Sequence, residues 1–403
     1  MKADKILVNG TIYNGLNQKP FRYLALSANR ILAVGRGSGK QWIGRKTEIV
    51  DLQSLFVTPG LVDSHLHFLD YALSVSRLKL DACRTQADVT NMLVARATHL
   101  IPGEWVLGRG WRKTHFGGFP HRKILDEFFP DHPVVLNSHD EHFLWLNSQA
   151  IHAVGITGKE QVPGGYIGQD LDGTPDGIVG ENAIPLVRKY IPAPAPEARK
   201  NALLAGQHKL HTLGIVGLHN TDGNQAFGDL QELHSEAKLK LRIFHSIPLR
   251  HLEDAVRMQI RSGLGDSWFR FGFVKIFSDG ALGSQSARML EPYNEAGGTG
   301  IETISEPELA EKIGLALQNG IAVGVHAIGD RANRQTLNAF EKNAALLAIP
   351  RAKSRIEHVQ LLHPDDIPRF RKIGIVASMQ PYHAISDCEN AERFWGDRAR
   401  YSY

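Results

Sequence analysis

The chain has 403 residues, 42% apolar and 22% charged, with 19 histidines, two cysteines and a formal net charge of +4. Such a composition excludes a disordered or fibrous chain, and so small a charge without a concentrated Lys/Arg block excludes nucleic acid as an expected partner. No run approaches the roughly 20 apolar residues of a membrane span, so no membrane association is expected. Cys83 and Cys388 alone rule out a disulfide framework, and a reducing, cytoplasmic location is expected.

Residues 1–10 lack the apolar core of a signal peptide and lead directly into strand-like sequence. Short apolar runs at 5–8, 11–13, 23–26, 30–34 and 48–50, separated by Asn-Gly and Gly-rich turns, predict the N-terminal half of a β-sandwich over residues 1–57. From there the pattern changes. Seven β-like runs follow at 56–67, 214–220, 240–249, 269–280, 321–329, 355–360 and 374–381. Helical segments such as 197–213 and 307–319 lie between them and end beside a glycine, as helix C-termini do. Alternating strands and helices predict a parallel α/β sheet. Polar residues recurring late in the strands favour a (β/α)8 TIM barrel, incomplete here because seven strands can be counted. An open doubly wound sheet is the alternative, but no G-x-G-x-x-G follows the first strand. The stretch separating the first two barrel strands is too long for one connection. Residues 58–78 and 191–403 are therefore expected to form the barrel, with 79–190 an inserted α+β subdomain covering its mouth.

The first chemistry-bearing motif is Val62-Asp-Ser-His-Leu-His67. Residues two apart on a strand point to the same side, so His65 and His67 project together, as ligands of zinc or another borderline divalent ion would. An isolated H-x-H is more often a pair of surface histidines. That alternative weakens because His326 and His358 also sit late in apolar strands. Lys275 lies inside the apolar run Phe271-Gly-Phe-Val-Lys-Ile-Phe277. A buried ammonium is costly unless it shifts its pKa or finds a partner; Lys275 is read as a lysine paired with a barrel carboxylate, held neutral, or carboxylated so as to bridge metals.

The order H-x-H, Lys, His, His on successive strands resembles the amidohydrolase superfamily. The wider phrases Thr58-Pro-Gly-Leu-Val-Asp-Ser-His-Leu-His67, Gly103-Glu-Trp-Val-Leu-Gly-Arg-Gly-Trp111, Phe129-Pro-Asp-His-Pro-Val134, Lys275-Ile-Phe-Ser-Asp-Gly-Ala-Leu-Gly283, Val325-His-Ala-Ile-Gly-Asp-Arg-Ala332 and Ile356-Glu-His358 are similar to its amidohydrolase-3 branch, the YtcJ-like and N-substituted formamide deformylase-like proteins. The resemblance implies two divalent ions, zinc first among them: His65 and His67 would bind one, His326 and His358 the other, and Lys275 would bridge them. Lys275 and His326 would also take part in catalysis. It further implies metal-activated hydroxide attacking a small-molecule amide or formamide, that is, hydrolysis of a non-peptide C–N bond.

By the same resemblance His142, in Asn137-Ser-His-Asp-Glu-His142, is expected to reach over the barrel mouth and bind substrate; an ordinary His-rich loop is the alternative. Trp111 and Arg112 are expected at the same entrance, although a Trp after a Gly turn is as often packing; Asp279 and Arg288 are expected to orient substrate, with a structural turn role as the more modest reading of Asp279. His219 is read as a satisfied residue of the barrel rim, and His208 and His211 as structural. The family's proton-shuttling Asp on an eighth strand, and the strands that finish its β-sandwich, find no match before residue 403. The sequence thus resembles a truncated member, expected to be oligomeric or poorly soluble, and inactive by itself. A non-catalytic, metal-binding pseudoenzyme is the rival reading, and a mononuclear deaminase-type site is a second.

Overall fold

A computed structural model describes every residue except 14, 16–18, 99, 101–103, 140, 141, 295, 296 and 403, and leaves out the side chain of Ser76. Gly103 of the second family phrase and Asp140 and Glu141 beside His142 therefore lie outside the described residues.

Seven parallel strands form the central sheet: β1 (Leu61–Leu66), β2 (Ile215–Asn220), β3 (Arg242–Pro248), β4 (Phe269–Phe277), β5 (Ala322–Ala327), β6 (Arg355–His358) and β7 (Val376–Ser378). Their order in space is their order in sequence, and every neighbouring pair is parallel. The architecture is an incomplete (β/α) barrel. Its two edge strands are β1 and β7, where Leu61, Val62 and Val376 are exposed. The middle strands are apolar on the face that the helices cover, while the opposite face carries the buried charged residues Lys275, Arg355 and Glu357. Val274, Ile276, Val323, Val325 and Ile356 pack against Leu309, Ile313 and Leu317 of helix Glu306–Gln318 and against Leu337 and Phe340 of helix Asp330–Lys342. Gly320 and Gly374, at φ +75° and +84°, supply the left-handed turns that carry a helix into β5 and β7.

The run expected at 56–67 divides in two. Pro59, which has no N–H to give a ladder, falls in the break. Phe56–Val57 pairs with Thr11–Ile12 in a small sheet of its own, and β1 begins only at Leu61. The remaining N-terminal strands form a four-stranded sheet in which Lys5–Val8 lies between Tyr23–Ser27, antiparallel, and Glu48–Asp51, parallel.

Between helix Phe68–Ser76 and helix Pro196–Thr212 lies a six-stranded mixed sheet: Gly165–Gln169, Pro175–Glu181, Phe143–Leu146, Val134–Ser138, Val106–Trp111 and Leu78–Lys79, in spatial order. Strand alternation gives it two apolar faces. Leu136, Trp111 and Trp145 go to one; Val135, Leu144 and Leu146 go to the other. Among the described residues no helix is long and apolar enough to cross a membrane.

Candidate metal centre

The sequence places His65 one residue from the end of β1, His67 just beyond it, His326 one residue from the end of β5 and His358 last in β6. In a parallel barrel these are all C-terminal strand ends and share one face, where barrel enzymes carry their chemistry. The rings meet there: His65 and His358 have centroids 4.7 Å apart, His326 and His358 4.6 Å, and His65 and His67 5.6 Å. His358 reaches the group through an unusual backbone. Strict alternation would turn it away from the side that Glu357 faces, but His358 and Val359 have φ of +72° and +49°. Left-handed backbone at non-glycine residues costs of order 1–3 kcal/mol and persists where surrounding structure imposes it; here it leaves both Glu357 and His358 facing the histidine group.

Three of the four rings have one nitrogen tied to a protein acceptor. His65 Nδ1 lies 2.9 Å from Glu357 Oε2, and His358 Nδ1 lies 2.7 Å from Gln380 Oε1. The Gln380 amide is itself oriented by donating to the Ser378 carbonyl. His326 Nε2 lies 3.0 Å from the Gly280 carbonyl. A carboxylate or carbonyl oxygen only accepts, so those nitrogens carry the protons. The lone pairs are left on His65 Nε2, His358 Nε2 and His326 Nδ1, the form a metal requires. Burial, with neighbouring positive charge, holds His326 down to about 4, and His65 and His358 also below the ordinary histidine value. All three are neutral at pH 7.

Lys275 projects from β4 into the same space. It is 4% exposed, and among the described residues its Nζ has no hydrogen-bond partner; it lies over the Phe277 ring at 5.1 Å from the centroid. Burial pulls the ammonium down to about 8, against the attraction of Glu357. Its charge is among those that depress His65, His326 and His358. Glu357 is fully buried, with Oε1 2.6 Å from Arg355 Nε. Burial alone would raise its carboxyl, but the His65 hydrogen bond and the Arg355 and Lys275 charges bring it down to about 2.

The remaining expected residues divide. Asp279 was expected to touch substrate. It is instead 2% exposed, and its carboxylate accepts the backbone N–H groups of Arg288, Ile328 and Gly329, with Oδ1 3.5 Å from His326 Nε2. It clamps the loops behind His326. Arg288 is half-buried and donates to Thr299 Oγ1. Trp111 corrects the expectation of an entrance residue. It is fully buried, donates its indole N–H to the Leu136 carbonyl, and packs edge-on against Trp145 and Phe119. Its place in the strand sends it to the apolar face of the six-stranded sheet. Arg112 and His142 flank strands of the same sheet, paired with His139 at 2.7 Å and Glu181 at 3.2 Å. His219 points into the barrel against Arg355, as a satisfied interior histidine.

Sequence reasoning missed Glu357, Arg355 and Asp222. The first two carry the signal that exposed Lys275, charge inside an apolar strand. Asp222, beyond β2, has Oδ1 3.6 Å from His67 Nδ1, and with Asp70 brings three ligand-type atoms within 4.8 Å of one another. A cavity of about 800 Å3 lies elsewhere. Its walls come from β1, β2 and β7 and from the N-terminal ends of β3, β4 and β6, including His219, Arg242, Arg270 and Arg355, and none of the four site histidines lines it.

Imidazoles with defined lone pairs, together with a buried lysine nitrogen that has no hydrogen-bond partner among the described residues, fit a divalent metal. Comparison with known proteins agrees with this chemistry. The chain is 30% identical over 415 residues to Protein LONG AFTER FAR-RED 3 of Arabidopsis thaliana, covering 98% of this chain and 71% of that protein. It is 31% identical over 351 residues to the putative amidohydrolase YtcJ of Bacillus subtilis, covering 85% of this chain and 65% of that one. It thus spans about two thirds of the length of these relatives. A solved structure of an uncharacterized metal-dependent hydrolase from Pyrococcus furiosus superposes with a TM-score of 0.79 at 28% identity, covering 99% of this chain and 81% of that one. The pattern that defines the Amidohydrolase family matches residues 48–403, and the chain belongs to that family.

Proposed function

We propose that this chain carries the metal centre of a hydrolase that cleaves C–N bonds of amide or formamide type in small molecules, with two zinc ions as its cofactor. His65 and His67 would hold one ion, His326 and His358 the other, and Lys275, carboxylated, would bridge them. The observation that carries the reading is the meeting of three neutral rings at 4.6–4.7 Å, together with a buried lysine that has no hydrogen-bond partner among the described residues. Bound there, divalent ions supply a water with its pKa lowered to near 7 and a Lewis acid for a carbonyl oxygen. The chain's own groups hold and orient. Glu357, Gln380 and the Gly280 carbonyl set the three histidine tautomers, and Asp279 braces the loops behind His326. Glu357 Oε2 is engaged by His65 and both Asp279 oxygens by backbone N–H groups, which suits these oxygens to orienting their partners. Arg288, Arg112 and His142 are assigned to the substrate side.

Metal analysis of the purified protein tests the reading. About two divalent ions per chain are expected, falling in His65→Asn and His326→Asn, together with turnover of N-formyl or N-acyl amines. Metal content unaffected by both substitutions would overturn the site. Metal content that falls as expected without any hydrolysis would favour the metal-binding, non-catalytic alternative.

A further inference from the structure

We infer that Arg355 and Glu357 form a positioning column on β6 that locks the tautomer and direction of His65, presetting its Nε2 as a metal donor; the inference rests on the metal-centre reading above. Glu357 is buried without exposure, and each of its oxygens meets a different group: Oε2 lies 2.9 Å from His65 Nδ1 and Oε1 2.6 Å from Arg355 Nε. An acceptor-only carboxylate forces the proton onto Nδ1 and the lone pair onto Nε2. Oε2 is the oxygen that holds His65, while Oε1 is ion-paired with Arg355 and has no hydrogen-bond partner among the described residues, so Glu357 backs His65 through one oxygen and is held in place by charge through the other. Arg355 is anchored in turn, its guanidinium carbon 4.1 Å from the Phe273 ring centroid and one terminal nitrogen on His219 Nδ1. The column therefore runs from the barrel interior up to the first histidine of the H-x-H motif.

Two costs argue for a purpose beyond filling space. The barrel core holds Lys275, Arg355 and Glu357 as buried charged residues, where branched apolar side chains would stabilise it as well or better. The backbone also takes the positive φ at His358 and Val359, which lets neighbouring residues of one strand serve the same site. A carboxylate backing a metal-binding histidine sharpens both its direction and its basicity, and its loss typically weakens metal affinity about 10- to 100-fold.

The test uses the full 403-residue chain. Zinc affinity is measured by chelator competition for wild type, His65→Asn, Glu357→Ala, Glu357→Gln and the double variant Glu357→Ala with Arg355→Met. The last removes both buried charges, so an unpaired guanidinium does not obscure the result. Nitrogen-15 NMR of the metal-free protein reads the His65 tautomer. Glu357→Ala and the double variant should bind zinc about 10- to 100-fold more weakly and show His65 as a tautomer mixture. Glu357→Gln, whose amide oxygen still accepts the Nδ1 proton, should recover part of the affinity and keep the single tautomer. Affinity lost in His65→Asn but unchanged in Glu357→Ala and the double variant would overturn this inference alone. Affinity unchanged in His65→Asn would overturn the metal-centre reading and this inference with it.

Discussion

Replacing Lys275 with methionine should make the metal-free protein more stable while removing its ability to hold a bridged pair of ions. The side chain is 4% exposed, and among the described residues its ammonium has no hydrogen-bond partner. Burial lowers its pKa from 10.5 to about 8, a penalty on the charged form of about 3 kcal/mol. Methionine, one atom shorter, fills most of the same space and removes the charge, so at pH 7 most of that penalty should appear as added stability. The sign follows from proton uptake. Between pH 8 and 10.5 the unfolded lysine binds more proton than the folded one, so wild-type stability rises through that window. The advantage of Lys275→Met is therefore complete below pH 8 and shrinks toward pH 10.5. The assay is urea denaturation of both proteins with chelator present, in CO2-free buffer so that the amine stays unmodified, at pH 7 and pH 10. Metal content is measured in parallel. A residue that costs stability yet is required for the ligand marks function, since active sites commonly hold such trade-offs. Equal or lower stability of the metal-free variant at pH 7 would refute the cost assigned to burial. Undiminished metal content would refute the bridging role.

Two further substitutions separate packing from site. Trp111→Ala should destabilise the protein by about 3–5 kcal/mol, as emptying a fully buried aromatic site does, and Trp111→Phe by less. Zinc affinity of the folded protein should stay at the wild-type value in both, and a selective loss of metal or substrate binding would restore Trp111 to the entrance. Gly329→Ala places a Cβ against the Arg288 backbone carbonyl, and the Gly329 N–H is one of the three that hold Asp279 behind His326. A cost of roughly 1–3 kcal/mol and a lower metal content are expected from thermal melting and metal analysis. A variant with wild-type melting and metal content would show that the loop can move without disturbing His326.

Much of the barrel was legible in the sequence because its signals are local. Buried parallel strands read as short apolar runs closed by a glycine turn, and each of the seven expected runs contains one of the seven parallel strands. A histidine or lysine late in such a run is conspicuous against its apolar neighbours, which singled out His65, Lys275, His326 and His358. Other features depended on which face a residue takes or what comes to meet it. Trp111 in its strand was consistent with either an entrance or a core, and only the packing of the six-stranded sheet placed it inside. Phe56 and Val57 read as the start of β1, but pairing with Thr11 and Ile12 drew them into another sheet. Glu357 lay in plain sight beside His358, yet its role depends on a hydrogen bond to His65 spanning 292 residues of sequence. Its charge is tolerable only because Arg355 and Lys275 share the same dry interior. Local pattern determined which residues form strands and where each strand ends. The joining of those strand ends in a low-dielectric space, where an unpaired charge is expensive and a paired one is directional, decided which residues act together.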